Sequence, residues 1–262
     1  MTDLILLTFA AGVLGIGAGG VLGIFVGGKS VKSEAILLSF SAGTMISLVC
    51  FELLTEAGET GGLFAAAAAA LSGALCVTWL DYIVDKKTKH RNDFVTCEDC
   101  EHKKAGSLQL FVAGVVMALA IAIHNIPEGM SVGAVYAEEG GQVGPALAVL
   151  IISIVLHNIP EGMAVAVPLI TSGMKKGKAA LVAALSGVPT VIGAMAGYVL
   201  GDMGDLGLTL SLGFAAGSLM YVVFGEVLPQ SIKLYCSRKT AFAAIVGVIV
   251  GMLILGGHVH AH

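Results

Sequence analysis

Charge is scarce in this chain: of 262 residues only 12% are Asp, Glu, Lys or Arg, and only 6% are aromatic, with a single tryptophan. An ordinary soluble domain carries about a quarter charged residues, so this composition excludes one. A net charge of −4 says little by itself, and no nucleic-acid partner is expected. Cysteine is also sparse. Of five cysteines, Cys50, Cys76 and Cys236 lie in or beside apolar stretches, and only Cys97 and Cys100 sit in a polar one, so no disulfide framework is indicated.

What fills the chain instead is apolar: 56% hydrophobic residues and 36 glycines. A run of about 20 apolar residues crosses a bilayer as a helix. Such tracts cover residues 4–26, 35–54, 62–84, 108–135, 143–170, 179–200, 206–232 and 240–257. The first follows Met-Thr-Asp without a basic leader and is too long for the core of a secretory signal, so it reads as the first membrane helix. The expected fold is an all-α polytopic membrane protein with eight transmembrane helices.

Lysine and arginine gather on the cytoplasmic side of membrane proteins. All 14 fall after odd-numbered tracts: Lys29 and Lys32; Lys86, Lys87, Lys89, Arg91, Lys103 and Lys104; Lys175, Lys176 and Lys178; Lys233, Arg238 and Lys239. Connections after even-numbered tracts carry Glu56, Glu59, Glu138, Glu139, Asp202 and Asp205. A wrong helix count would scatter the basic residues over both sides. Both termini are therefore expected outside.

An internal repeat is visible at an offset of 174 residues, where SFSAGTMISLVCFELL (39–54) aligns with GFAAGSLMYVVFGEVL (213–228). Phe40 falls on Phe214, Gly43 on Gly217 and Glu52 on Glu226; Gly19, Gly23 and Gly27 fall on Gly193, Gly197 and Gly201. Glycine-rich composition accounts for matched glycines but not for matched glutamates. Tracts two and seven differ by an odd number of crossings, so the repeat is inverted. The expected arrangement is 3+2+3 in a single transmembrane domain: helices one to three in residues 1–84, a cytoplasmic loop at 85–107, two central helices at 108–170, and the inverted repeat at 179–257. Inverted repeats are characteristic of transporters, with the substrate held near the midplane on broken helices.

The two central tracts each contain HNIPEGM, at 124–130 and 157–163. On a helix His124 and Glu128 share a face, with Asn125 on a neighbouring stripe, and His157, Asn158 and Glu161 repeat the pattern. Pro127 and Pro160 cannot donate to the carbonyls of Ile123 and Leu156, so a kink and a free carbonyl are expected beside each set. Carboxylates in hydrocarbon cost several kcal/mol unless compensated. The tracts hold Glu52, Glu128, Glu161 and Glu226 but no lysine or arginine to balance them, so the balancing charge is a proton or a divalent metal. Two imidazoles favour metal: histidine with carboxylate suits Zn²⁺, and asparagine oxygen extends the set toward Fe²⁺ or Mn²⁺. The sharpest expectation is a two-metal site sharing Glu128 and Glu161, with Glu52 and Glu226 contributing from the outer triplets.

Two further segments hold metal-ligating residues. The loop sequence CEDCEH, with His90, Cys97, Cys100 and His102, offers a soft-metal or merely solvated segment, and the tail His258-Val-His260-Ala-His262 reads as a frayed end that could catch metal.

Taken together, the eight tracts, the duplicated HNxPEG and the Glu226-Val-Leu-Pro229 element resemble the ZIP (Zrt/Irt-like protein) family of divalent metal transporters, nearest its bacterial GufA-type branch. The resemblance implies a binuclear site of His124, Asn125, Glu128, His157, Asn158, Glu161 and Glu226, with Glu52 at a variable position that supplies a ligand in some members. It implies a cell-membrane transporter and not an enzyme, moving Zn²⁺, with Fe²⁺, Mn²⁺ or Cd²⁺ as other substrates, into the cytoplasm. Expected partners are metal ions, membrane lipid and a second copy of the chain in a homodimer. Two other readings stay open: a proton or sodium antiporter, and an intramembrane metallohydrolase. The latter lacks an HExxH order and a histidine-paired nucleophilic serine.

Overall fold

The structure is a computed structural model, and it describes residues 2–26, 31–88 and 107–259. Every described element is helical, and eight helices are long and apolar enough to cross a membrane: α1 (Thr2–Phe25), α2 (Ala35–Gly61), α3 (Leu63–Leu80), α4 (Leu110–Glu138), α5 (Pro145–Thr171), α6 (Lys176–Gly201), α7 (Asp205–Leu234) and α8 (Arg238–Leu255). CEDCEH and the tail residues His260 and His262 fall outside the described residues.

One boundary differs clearly from the sequence expectation. Helix α2 continues to Gly61, so Glu56 and Glu59 lie in its last turns and not in a loop. The turn into α3 is then made at Gly62, whose φ of 86° is open to glycine and strained for other residues.

Enclosure varies from helix to helix. Helix α7 is the most enclosed, followed by α2 and α5, while α3 and α8 lie toward the periphery. Large apolar side chains such as Leu63, Phe64, Trp79 and Leu253 face outward, as hydrocarbon contact requires.

Four helix pairs make the closest packing: α1 on α5, α4 on α6, α2 on α8 and α3 on α7. Glycine is the reason they can approach so closely, because lipid offers no hydrophobic drive and helices in it associate through backbone contact. A Cβ on Gly19 would collide with the Ile159 carbonyl, and one on Gly193 with the Ile126 carbonyl; Gly43 meets the Ala244 carbonyl as Gly217 meets that of Ala70. These contacts recur at the 174-residue offset.

The helices are interrupted at matching places. Wide turns with an extra residue occur at Val49–Leu53 in α2 and Val223–Val227 in α7, again 174 residues apart. Glu52 and Glu226 are the fourth residue of each. Another wide turn lies at Ala10–Leu14 in α1, and α6 is broken at the corresponding residues, between Lys176–Ser186 and Pro189–Gly201. Wide turns inside α-helices concentrate at functional sites. Here they flank the two central helices.

Candidate metal centre

Both HNIPEGM motifs lie inside unbroken helix, and the antiparallel packing of α4 on α5 turns them toward each other. The pairing crosses between helices. His157 Nε2 lies 2.8 Å from Glu128 Oε1, and His124 Nε2 lies 3.2 Å from Glu161 Oε2. Each histidine thus meets the glutamate of the other helix, and the two motifs form one site.

This site is sealed from water: His124, Asn125, Glu128, His157, Asn158 and Glu161 are each at most 1% exposed. One ligand atom from each of His124, Glu128 and Glu161 can be chosen so that all lie within 4.8 Å of one another. Ligands at about 2.0–2.1 Å around tetrahedral zinc stand about 3.3 Å apart, so a small contraction would close the cluster on an ion.

Asparagine orientation follows from the broken helices. The Ser186 carbonyl would ordinarily be met by the Thr190 N–H, but that group goes to Gly187 at 3.2 Å, and Pro189 between them has no N–H to give. Asn125 Nδ2 fills the place at 3.0 Å. In α1 the Gly15 N–H goes to the carbonyls of Ala10 and Gly12, bypassing Ala11. Asn158 Nδ2 donates to Ala11 at 3.0 Å. A carbonyl can only accept, so each amide must present nitrogen to the backbone and keep its oxygen for the site.

Six atoms in the motifs are consequently buried without a hydrogen-bond partner: Nδ1 of His124 and His157, Oδ1 of Asn125 and Asn158, Oε2 of Glu128 and Oε1 of Glu161. Buried polar atoms are nearly always paired. Such a concentration of unpaired acceptors, around two carboxylates whose formal charge one divalent cation balances, is a donor set suited to a metal ion.

Glu226 and Glu52 are the two expected ligands from the outer triplets. Glu226 is half-buried and lines a cavity between α4 and α7, close enough for its charge to act on His124. Glu52 is half-buried, with the carboxyl groups of Glu56 and Glu138 near enough to act on it electrostatically. Glu139, an acid of the α4–α5 connection, accepts from the N–H groups of Gly144 and Ala146 at 2.9 and 3.0 Å and so caps α5.

Ser41 escaped sequence reasoning altogether. Its hydroxyl donates to the His157 carbonyl at 3.0 Å, tying α2 to the site, and the aligned Ala215 gave no hint of it.

Eight helices long and apolar enough to cross a membrane, with a sealed cluster of histidine and glutamate between two of them, define the class of polytopic membrane proteins with a buried polar centre. Residues 83–257 match the family model described as ZIP zinc transporter. The chain is 32% identical over 260 residues to the zinc transporter ZupT of Corynebacterium efficiens, covering 95% of this chain and 93% of that one. It is 30% identical over 255 residues to the zinc transporter ZIPB of Bordetella bronchiseptica, covering 94% and 77%. With ZupT of Chlorobaculum parvum it shares 31% over 272 residues, covering 97% of each. The chain belongs to the ZIP zinc transporter family, and it is a multi-pass membrane protein.

Proposed function

We propose that this protein carries zinc into the cytoplasm by alternating access through the site between α4 and α5, with Fe²⁺, Mn²⁺ and Cd²⁺ as further substrates. The observation that carries this reading is the crossed His124–Glu161 and His157–Glu128 pairs with their six unpaired buried atoms. The ion is cargo. Zinc suits the two imidazoles, and the asparagine oxygens widen the set toward harder cations.

The ligand assignment follows the same logic. His124, Glu128 and Glu161 form the inner cluster, His157, Asn125 and Asn158 complete it, Glu226 serves its cytoplasmic side and Glu52 its outer side. The charge pattern supports termini outside and a GufA-type single domain in the 3+2+3 arrangement, and the recurrence of glycine contacts at the 174-residue offset agrees with it. Zinc names on relatives from three bacteria support the substrate.

The test is zinc uptake into proteoliposomes by the wild-type chain beside Glu128→Ala and His157→Ala. Loss of uptake in both variants is expected. Equal flux in all three overturns the reading.

A further inference from the structure

A cavity of about 50 Å³ lies between α4 and α7. It has room for a few waters or a partly hydrated cation. The α4 wall includes Ala113, Met117 and Ala120, at spacings of four and three residues, and the same stripe reaches His124 four residues further on. The cavity therefore begins one turn from the buried cluster.

On α7 the wall includes Glu226, Gln230 and Lys233, again at spacings of four and three, so these also share one face. Exposure rises along this face: Glu226 and Gln230 are half-buried and Lys233 is exposed. Glu226 is the acid of the lining and Lys233 its base. By rise per residue they stand about 10 Å apart along the helix.

Taking the transport reading above as its basis, we infer that Lys233 governs release of the ion to the cytoplasm. A divalent cation leaving the His124 end meets Glu226 next, and that carboxylate alone would hold it. The Lys233 ammonium, on the same stripe, weakens this hold and repels cations returning from the cytoplasm. The cavity then works as a release vestibule rather than a second binding site. Membrane topology does not need this lysine on the cavity wall, because Arg238 and Lys239 follow it on the same side.

The test is a charge series, Lys233→Arg, Lys233→Gln and Lys233→Glu, measured as zinc uptake into membrane vesicles of both orientations. In inverted vesicles, with the cytoplasmic face outward, Lys233→Gln is expected to lower KM about three- to tenfold, the size of one charge acting on a divalent ion across a partly hydrated gap of about 10 Å. Lys233→Glu is expected to lower it further, and Lys233→Arg to stay at the wild-type value. In right-side-out vesicles KM should hold while turnover falls in the Gln and Glu variants. Wild-type inner-face KM in the Gln and Glu variants, or an Arg variant that shifts like Gln, overturns the inference while leaving transport intact. Absence of zinc flux in wild-type vesicles of either orientation overturns the transport reading and this inference with it.

Discussion

Asn125 donates its amide hydrogen to the Ser186 carbonyl across 3.0 Å, and that carbonyl is available because Pro189 has no N–H and Thr190 is bonded to Gly187. A helix break in α6 thus orients a polar group on α4, which in turn leaves Asn125 Oδ1 facing the site without another partner.

Restoring the N–H at that break should disturb the site without touching it. Pro189→Ala supplies a donor that competes for the Ser186 carbonyl and frees the Asn125 amide to turn. Partners that orient metal ligands are worth about 10–100-fold in affinity. Zinc binding in detergent, titrated by competition with a chelator, is expected to weaken toward the lower end of that range, and Asn125→Ala to weaken it more.

The crossed pairs should behave as one unit. Glu128→Gln removes half of the site's formal negative charge, takes away a carboxylate oxygen from the donor set and leaves His157 opposite an amide. Equilibrium zinc binding should fall by at least about a hundredfold for Glu128→Gln and for Glu161→Gln, beyond the roughly 10–100-fold lost when only a ligand's orienting partner is removed. The double variant should lose little beyond either single one, since residues sharing one network are not additive.

Helix spacing predicts a contrast between glycines. A Cβ on Gly129 would strike the Thr190 carbonyl and one on Gly162 the Ile16 carbonyl, whereas nothing lies within 4 Å of a Cβ on Gly58. Gly129→Ala and Gly162→Ala are expected to destabilise the protein by about 1–3 kcal/mol, the usual cost of overpacking. Gly58→Ala should be neutral. Thermal unfolding in detergent distinguishes them.

Two outer acids should separate by role. Glu139 caps α5 through Gly144 and Ala146, so Glu139→Ala should lower the melting temperature, with a loss of about 0.5–2 kcal/mol. Glu52 has Glu56 and Glu138 near enough to act on it electrostatically, and the tight cluster of ligand atoms is made by His124, Glu128 and Glu161. Glu52→Gln should therefore keep nearly wild-type zinc affinity at the buried cluster in the same chelator titration, while initial uptake at low outside zinc slows.

Much of this architecture was legible in the chain because it depends on local quantities. Eight apolar runs of membrane length, the placement of every lysine and arginine after odd-numbered runs, and glutamates in runs that hold no lysine or arginine can each be read from composition within a window. Glu52 and Glu226 were linked through the repeat alignment, and they occupy the same position in their wide turns.

Other features depended on how helices lie against one another, and no periodicity along one helix carries that. Helical spacing put His124 beside Glu128 of its own helix, but packing of α4 on α5 set each histidine against the opposite glutamate. Asn158 and Asn125 are oriented by carbonyls of α1 and α6, to which no spacing along α4 or α5 points. Glu139 became a cap and Ser41 a tether only through contacts formed in three dimensions.

By itself, then, the sequence determined the number of helices, the sites of buried charge and the chemical class of ligand, since burying a carboxylate in hydrocarbon requires compensation whatever the fold. Only the tertiary structure decided which of these groups meet, His124 with Glu161 and His157 with Glu128. Ligation acts over a few ångströms, and the groups that meet at that range are brought together from α4 and α5 by glycine-to-backbone contacts against α1 and α6.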